Sequence, residues 1–180
     1  MPSSTRSIAT LIPFIALIAF MVVACAAAPT PTPAPVPTVA VDASGQPILK
    51  VINPTATPNL YAGWSVTIAE VGRAKTIGEA GLVPMEAKGV FLILQLQVTN
   101  GGQAASTFPL DGLTVTSAAG KMYKLDDTAS EHYSLGAKLP DQAASVSPKG
   151  TLEVGAVFDI DPSATGFTLK AGGQSIPVKE

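Results

Sequence analysis

The chain of 180 residues has one cysteine, one histidine and one tryptophan. A lone cysteine, Cys25, allows no disulfide within the chain, so the fold must rest on its core. A lone histidine, His132, excludes a blue-copper site, which takes two imidazoles and a thiolate. A zinc site also lacks ligands. No cofactor is expected. Charge is scarce at 13% of residues, with 11 bases, 13 acids and a net charge of −2. No basic stripe is present, which excludes a nucleic-acid partner. No polybasic cluster offers electrostatic docking on anionic lipid. The 3.6-residue apolar period of an amphipathic helix is missing too, so no helix is predicted.

The N-terminus carries the clearest signal. Arg6 precedes an apolar run from Ile8 to Ala24, broken by Thr10 and Pro13, and small residues surround Cys25. A charged start, an apolar stretch and small residues at the cut describe a secretory signal. Val22-Val23-Ala24-Cys25 resembles the lipobox of bacterial lipoprotein signal peptides, with valines replacing the more usual Leu and Ala or Ser. The resemblance implies a diacylglycerol joined to Cys25 through a thioether, and cleavage between Ala24 and Cys25. Each buried lipid CH₂ contributes ~0.8 kcal/mol and stable anchoring takes about two chains, which a diacylglycerol supplies. Two other readings stand beside it. Residues 8–28 approach the ~20 needed for an uncleaved span, against which Pro13 and the prolines after it weigh. Ala24-Cys25-Ala26 also fits an ordinary cleavage site that would release a soluble protein. All three readings export the domain. The localisation expected is the extracytoplasmic face of the cell membrane, with the membrane as partner through the N-terminal lipid.

Removing residues 1–24 takes one base, Arg6, and no acid. The mature chain is therefore mildly acidic. Pro29, Pro31, Pro33, Pro35 and Pro37 then alternate with Thr, Ala and Val, and Pro47, Pro54 and Pro58 continue the bias. Proline removes a donor and fixes φ, which disfavours helix and sheet interior alike. This tract is a semi-rigid tether at ~3.1 Å per residue, reaching on the order of 90 Å when fully extended. A Pro-rich docking ligand is the thinner alternative. Roughly 120 residues remain, enough for one cored domain. The organisation expected is a signal peptide over 1–24, a lipidated cysteine and tether over 25–59, and one domain over 60–180.

Within the domain the apolar period is two. Trp64, Val66 and Ile68 alternate with Ser65, Thr67 and Ala69. Val90, Leu92, Leu94, Leu96 and Val98 alternate with Phe91, Ile93, Gln95 and Gln97, so this strand starts covered on both faces and emerges. Residues 113–116 and 152–160 alternate likewise, and shorter candidates lie at 106–110, 122–125, 166–170 and 175–178. Asn100-Gly101-Gly102, Ala119-Gly120 and Gly172-Gly173 punctuate them and supply the positive φ of tight turns. Seven or eight short strands describe an all-β domain, an antiparallel sandwich with a barrel as alternative. Residues 73–88 and 125–149 read as long loops, and long loops are often functional.

The strand from Gly89 to Asn100 is led by glycine and closed by asparagine. Ser147-Pro148-Lys149-Gly150 then leads into Val157-Phe158-Asp159-Ile160. This pairing resembles a bacterial family of domains of unknown function carried on exported lipoproteins, immunoglobulin-like in fold. Small secreted immunogenic antigens are similar in fold. The resemblance spans about residues 63–178 and implies an immunoglobulin-like sandwich without catalytic residues. The chain departs from true immunoglobulin domains: it has no cysteine pair across the sheets, and Trp64 falls on the first strand.

Chemistry-bearing residues are few. His132 lies in Asp126-Asp127-Thr-Ala-Ser130-Glu131-His132-Tyr133-Ser134. A Ser-His-Asp arrangement with Ser130 or Ser134 lacks a nucleophile elbow and a Gly-rich oxyanion turn, so His132 reads as an exposed loop residue. Asp126, Asp127 and Glu131 form one acidic cluster, and Asp159 with Asp161 a second. Neither has the spacing of a known calcium loop. The function expected is a non-enzymatic binding or structural module toward a protein or glycan. An accessory subunit docking to a membrane or transport complex through a sheet face is the alternative. An envelope hydrolase is the weakest of the three.

Overall fold

A computed structural model of the chain describes residue 47 and residues 49–51, 59–78 and 83–180. These belong to the unit Val36–Glu180. The signal segment 1–24, Ala24, Cys25 and the Pro-rich run 29–37 lie outside the described residues. No helix among the described residues is long and apolar enough to cross a membrane.

Among the described residues nine strands and one α-helix run in the order β1 (Lys50–Val51), β2 (Asn59–Tyr61), β3 (Trp64–Ile77), β4 (Met85–Asn100), β5 (Leu113–Thr116), β6 (Met122–Lys124), α1 (Asp127–Gly136), β7 (Thr151–Ile160), β8 (Thr168–Ala171) and β9 (Gln174–Pro177). They form two antiparallel sheets. One has the order β1-β3-β4-β7, with β2 also paired to β3; the other has the order β6-β5-β8-β9. The chain crosses from the first sheet to the second after β4, returns through α1 to β7, and crosses again to β8 and β9. Lys50–Val51, which composition groups with the tether, pair with Val71 and Glu70.

The period-two pattern produces the expected core. Trp64, Val66, Leu92, Leu94, Leu96 and Val98 share one buried cluster with Leu113, Val115 and Leu169 of the second sheet and with Phe167 just before β8. Trp64 meets Phe108 edge-on, with centroids 5.4 Å apart. Such a pair adds about 0.5–1.5 kcal/mol beyond its buried area. Phe91 and Ile93 point the other way and are also buried. The cover predicted over the start of β4 is α1, whose Ala129 and Tyr133 pack on Phe91, Ile93 and Val157. Further along, Gln97 is exposed, so the strand emerges from that cover.

Four expectations are corrected. First, residues 127–136 are helical. Asp126 caps the helix by accepting from the Ala129 N–H at 2.9 Å, which satisfies a first-turn donor. Second, residues 73–88 are mostly hairpin. β3 runs on to Ile77 and β4 starts at Met85, with register shifts at Ile68/Glu70 and Ala74/Thr76. Bulges change which parity faces inward, so buried Ala74, Ile77 and Ala87 show no simple alternation. Third, the candidate strand over 106–110 reduces to a bridge between Ser106 and Val146, with Leu110–Gly112 a 3₁₀ turn. Fourth, Gly120, Gly172 and Gly173 do have positive φ, but Gly101 and Gly102 do not. Gly101 is needed for close approach instead: a Cβ there would lie 2.7 Å from the Gly63 carbonyl oxygen.

Candidate functional site

Helix α1 lies over the outer face of the five-stranded sheet, against β7. Gly155 makes the close approach possible, since a Cβ there would lie 2.6 Å from Tyr133 Cδ1. Polar side chains then fasten the layers. Ser130 Oγ donates to the Asp126 carbonyl at 2.7 Å and accepts from the Val157 N–H at 2.9 Å. The Asp126 N–H donates to the Val157 carbonyl at 2.9 Å. Part of the outer edge of β7 is therefore paired to the helix rather than left open. Burial, followed by the charge of Glu70, raises the Tyr133 phenol well above its ordinary range.

Residues 139–143 double back beside the helix as a strap. Gln142 holds it: Nε2 donates to the Ser130 and Gly155 carbonyls, each at 3.1 Å, and contacts Ser134 Oγ. Asp141 shapes the turn by accepting from the Ala143 N–H at 2.9 Å, a common local use of aspartate. Between strap and helix lies a groove of about 560 Å³. Asp127, Glu131 and Leu135 line it from the helix, and Leu139, Pro140 and Asp141 from the strap. Asp127 and Glu131 are spaced i,i+4, an arrangement of like charges that costs a helix about 0.2–0.5 kcal/mol. Leu135 is 56% exposed, one of three large exposed apolar residues among those described.

The two segments singled out in the sequence, 73–88 and 125–149, meet here. His132 Nε2 lies 3.2 Å from the Val83 carbonyl oxygen, and Gly78 packs nearby. His132 is thus a half-buried helix residue, not an exposed loop residue. Neither Ser130 nor Ser134 is hydrogen-bonded to it: Ser130 Oγ bonds Asp126 and Val157, and Ser134 Oγ contacts Gln142.

The acidic clusters are separated into different tasks. Asp126 caps α1, while Asp127 and Glu131 face the groove. Asp159 accepts from the Lys88 and Gly89 N–H groups at 2.8 and 2.9 Å. Asp161 accepts from Lys121 Nζ at 2.7 Å and Tyr123 Oη at 3.0 Å. The hydrogen bonds from Lys121 and then Tyr123 hold the Asp161 carboxyl below its ordinary range. No three of the described His, Asp and Glu residues converge as a metal-holding group. The residue missed at sequence level is Gln142. Its signal was faint: a glutamine after Pro140-Asp141, in a stretch read as loop.

No family model and no curated protein matches the chain. Among solved structures, a conserved hypothetical protein from Bacillus anthracis is similar, with TM-score 0.58 and 12% identity, over 73% of this chain and 96% of that one. A functionally unknown protein from Listeria monocytogenes EGD-e aligns at TM-score 0.41 and 12% identity, over 68% of this chain and 76% of that one. At such identity the first likeness speaks for the fold alone: two antiparallel sheets in a sandwich-like, all-β arrangement.

Proposed function

We propose that the chain is an exported, lipid-anchored module with an immunoglobulin-like body that binds a protein partner without catalysis. The observation that carries this reading is the strapped helix. Gln142 and Ser130 fix its walls to the sheet, while the groove between them leaves carboxylates and an aliphatic side chain facing outward. A rigid scaffold displaying an open groove is how binding surfaces are usually built. The cysteine placement and the Pro-rich tract support the anchor and the tether. The three crossings between the two antiparallel sheets support the immunoglobulin-like reading.

A protein suits this surface better than a glycan. Sugar-binding sites lean on exposed aromatic faces. Among the described residues every Phe and Trp is buried, Tyr123 and Tyr133 are buried, and Tyr61 is half-buried. Docking through the face of the second sheet finds less support. Its outer positions carry Thr114, Thr116, Lys124, Thr168, Lys170 and Ser175, with exposed Met122 and Pro177 the apolar exceptions. A hydrolase finds none in the placement of His132.

Two measurements test the proposal. In living cells, Cys25→Ala is expected to abolish lipid labelling and move the protein from the detergent to the aqueous phase. Unchanged partitioning overturns the anchor. A photo-crosslinking residue at exposed Ala143 is expected to form adducts in intact cells, and one at exposed Lys124 is not. The reverse pattern overturns the choice of surface.

A further inference from the structure

We infer that the groove beside α1 docks a protein segment in which lysine or arginine side chains flank an aliphatic one; this rests on the binding-module reading. Charge is the first ground. Asp127 and Glu131 are both exposed on one helix row. Among the described residues the ion pairs are Arg73–Glu180 and Lys121–Asp161, so no described lysine or arginine is ion-paired with either groove carboxylate. Asp141, on the strap, adds a third acid to the rim, and among the described residues no lysine or arginine lines the groove. The complementary partner is cationic.

Apolar surface is the second ground. Leu135 continues the row of Asp127 and Glu131 by one further turn, and Leu139 and Pro140 stand opposite. An aliphatic side chain placed between them would remove Leu135 from water. An apolar floor beside unneutralised acids suits a mixed segment better than a bare metal ion, for which no three acids converge among the described residues. The volume, about 560 Å³, admits a few side chains and not a folded body. The site therefore reads a short stretch of its partner.

The test uses the full-length protein in intact cells, with the photo-crosslinking residue at Ala143. Three backgrounds are compared: unaltered, Asp127→Asn with Glu131→Gln, and Leu135→Ser. Expected is an adduct whose joined partner segment carries Lys or Arg beside Leu, Ile or Val. Its yield is expected to fall about tenfold in the charge variant and in Leu135→Ser, and to fall as salt in the medium rises, because exposed charges are screened. Protease resistance of the domain reports whether each variant is folded. If the double variant is not, Glu131→Lys at the same exposed position serves, with a larger loss expected. An adduct that persists at full yield in the folded charge variants overturns the partner chemistry, and so does one mapping to a segment without a base. Either result leaves the binding module standing. No adduct from Ala143 in any background overturns both.

Discussion

Gly89 and Asp159 lie 70 positions apart and solve one problem. Four residues of β4, 87–90, stand opposite Lys75 alone, between the Ala74–Phe91 and Thr76–Glu86 pairs. Such a bulge frees backbone groups that need partners. Asp159 takes the Lys88 and Gly89 N–H groups. Lys75 Nζ donates to the Ala87 carbonyl at 2.5 Å and the Gly89 carbonyl at 3.0 Å. Gly89 must be glycine because a Cβ would sit 2.0 Å from the Ile160 carbonyl oxygen. Gly89→Ala is therefore expected to destabilise the domain by about 2–4 kcal/mol, as forced backbone shifts do. Asp159→Asn keeps one acceptor oxygen, loses the charge, and should cost about 1–2 kcal/mol. Urea unfolding with an unchanged slope checks both, and unaltered midpoints would remove this account of the bulge. At the far end of β4, buried Asn100 donates from Nδ2 to the Ala104 and Val146 carbonyls and accepts at Oδ1 from the Gly102 N–H. The glycine, the asparagine and the Phe-Asp pair were all legible as a pattern. Their tasks were not, because each joins groups distant in sequence.

At the scale of elements, alternation was readable wherever a strand has one core face and one open face. β4, β5 and β7 are of that kind along much of their length. Helix α1 escaped because its buried row is thin: Ala129, Ser130, Tyr133 and Ser134. Two serines in that row erase the apolar signal, and they are there because the edge of β7 and the strap need hydroxyl partners. The remaining cue was Asp126 ahead of Asp127, an N-cap before a first-turn acid. Asp126→Ala should cost about 1 kcal/mol and lower helical ellipticity on warming before the sheets melt. Tyr133 gives the layer a pH signature. Its raised phenol stays neutral in the fold while the unfolded chain ionises from about pH 10. Its contribution is thus complete below that value and is lost as pH rises through the folded value. Burial, the first cause, raises Tyr123 and Tyr61 as well, so the comparison must be between variants. Tyr133→Phe should flatten the alkaline loss by up to about 1.4 kcal/mol per pH unit, read from urea midpoints between about pH 9 and 11. An identical slope in both proteins would place Tyr133 outside the outer core. The groove itself was half legible. Asp127 and Glu131 stood out as an acidic cluster in a long loop, but their convergence with Leu135 and Leu139 depends on the helix and on Gln142, which the period-two reading passed over.

For the molecule as a whole, the two apolar clusters are unequal partners. The inner one joins both sheets and holds most of the large buried side chains. The outer one depends on a single helix, which adds Ala129 and Tyr133 to the sheet residues it covers. Local opening takes the least buried apolar area first, so α1 and its strap should detach at a lower free energy than the sandwich unfolds. β7 offers a sharp reading of this order. The N–H and carbonyl of Val157 point away from β4, to Ser130 Oγ and the Asp126 N–H. Antiparallel geometry then turns the Ala156 and Phe158 amides toward β4, opposite Leu94 and Leu92. In native-state hydrogen exchange the Val157 amide should behave like the helix, with the lower protection of α1. Its two neighbours should exchange with the global transition. Three consecutive amides of one strand would thus report two different openings. A partner seated in the groove touches helix and strap together, and so should raise protection at Val157; the globally unfolded chain loses the groove too, so Phe158 should rise by the same factor. Equal protection at all three residues would mean that helix and sandwich open as one, and the groove would then be as rigid as the core beneath it.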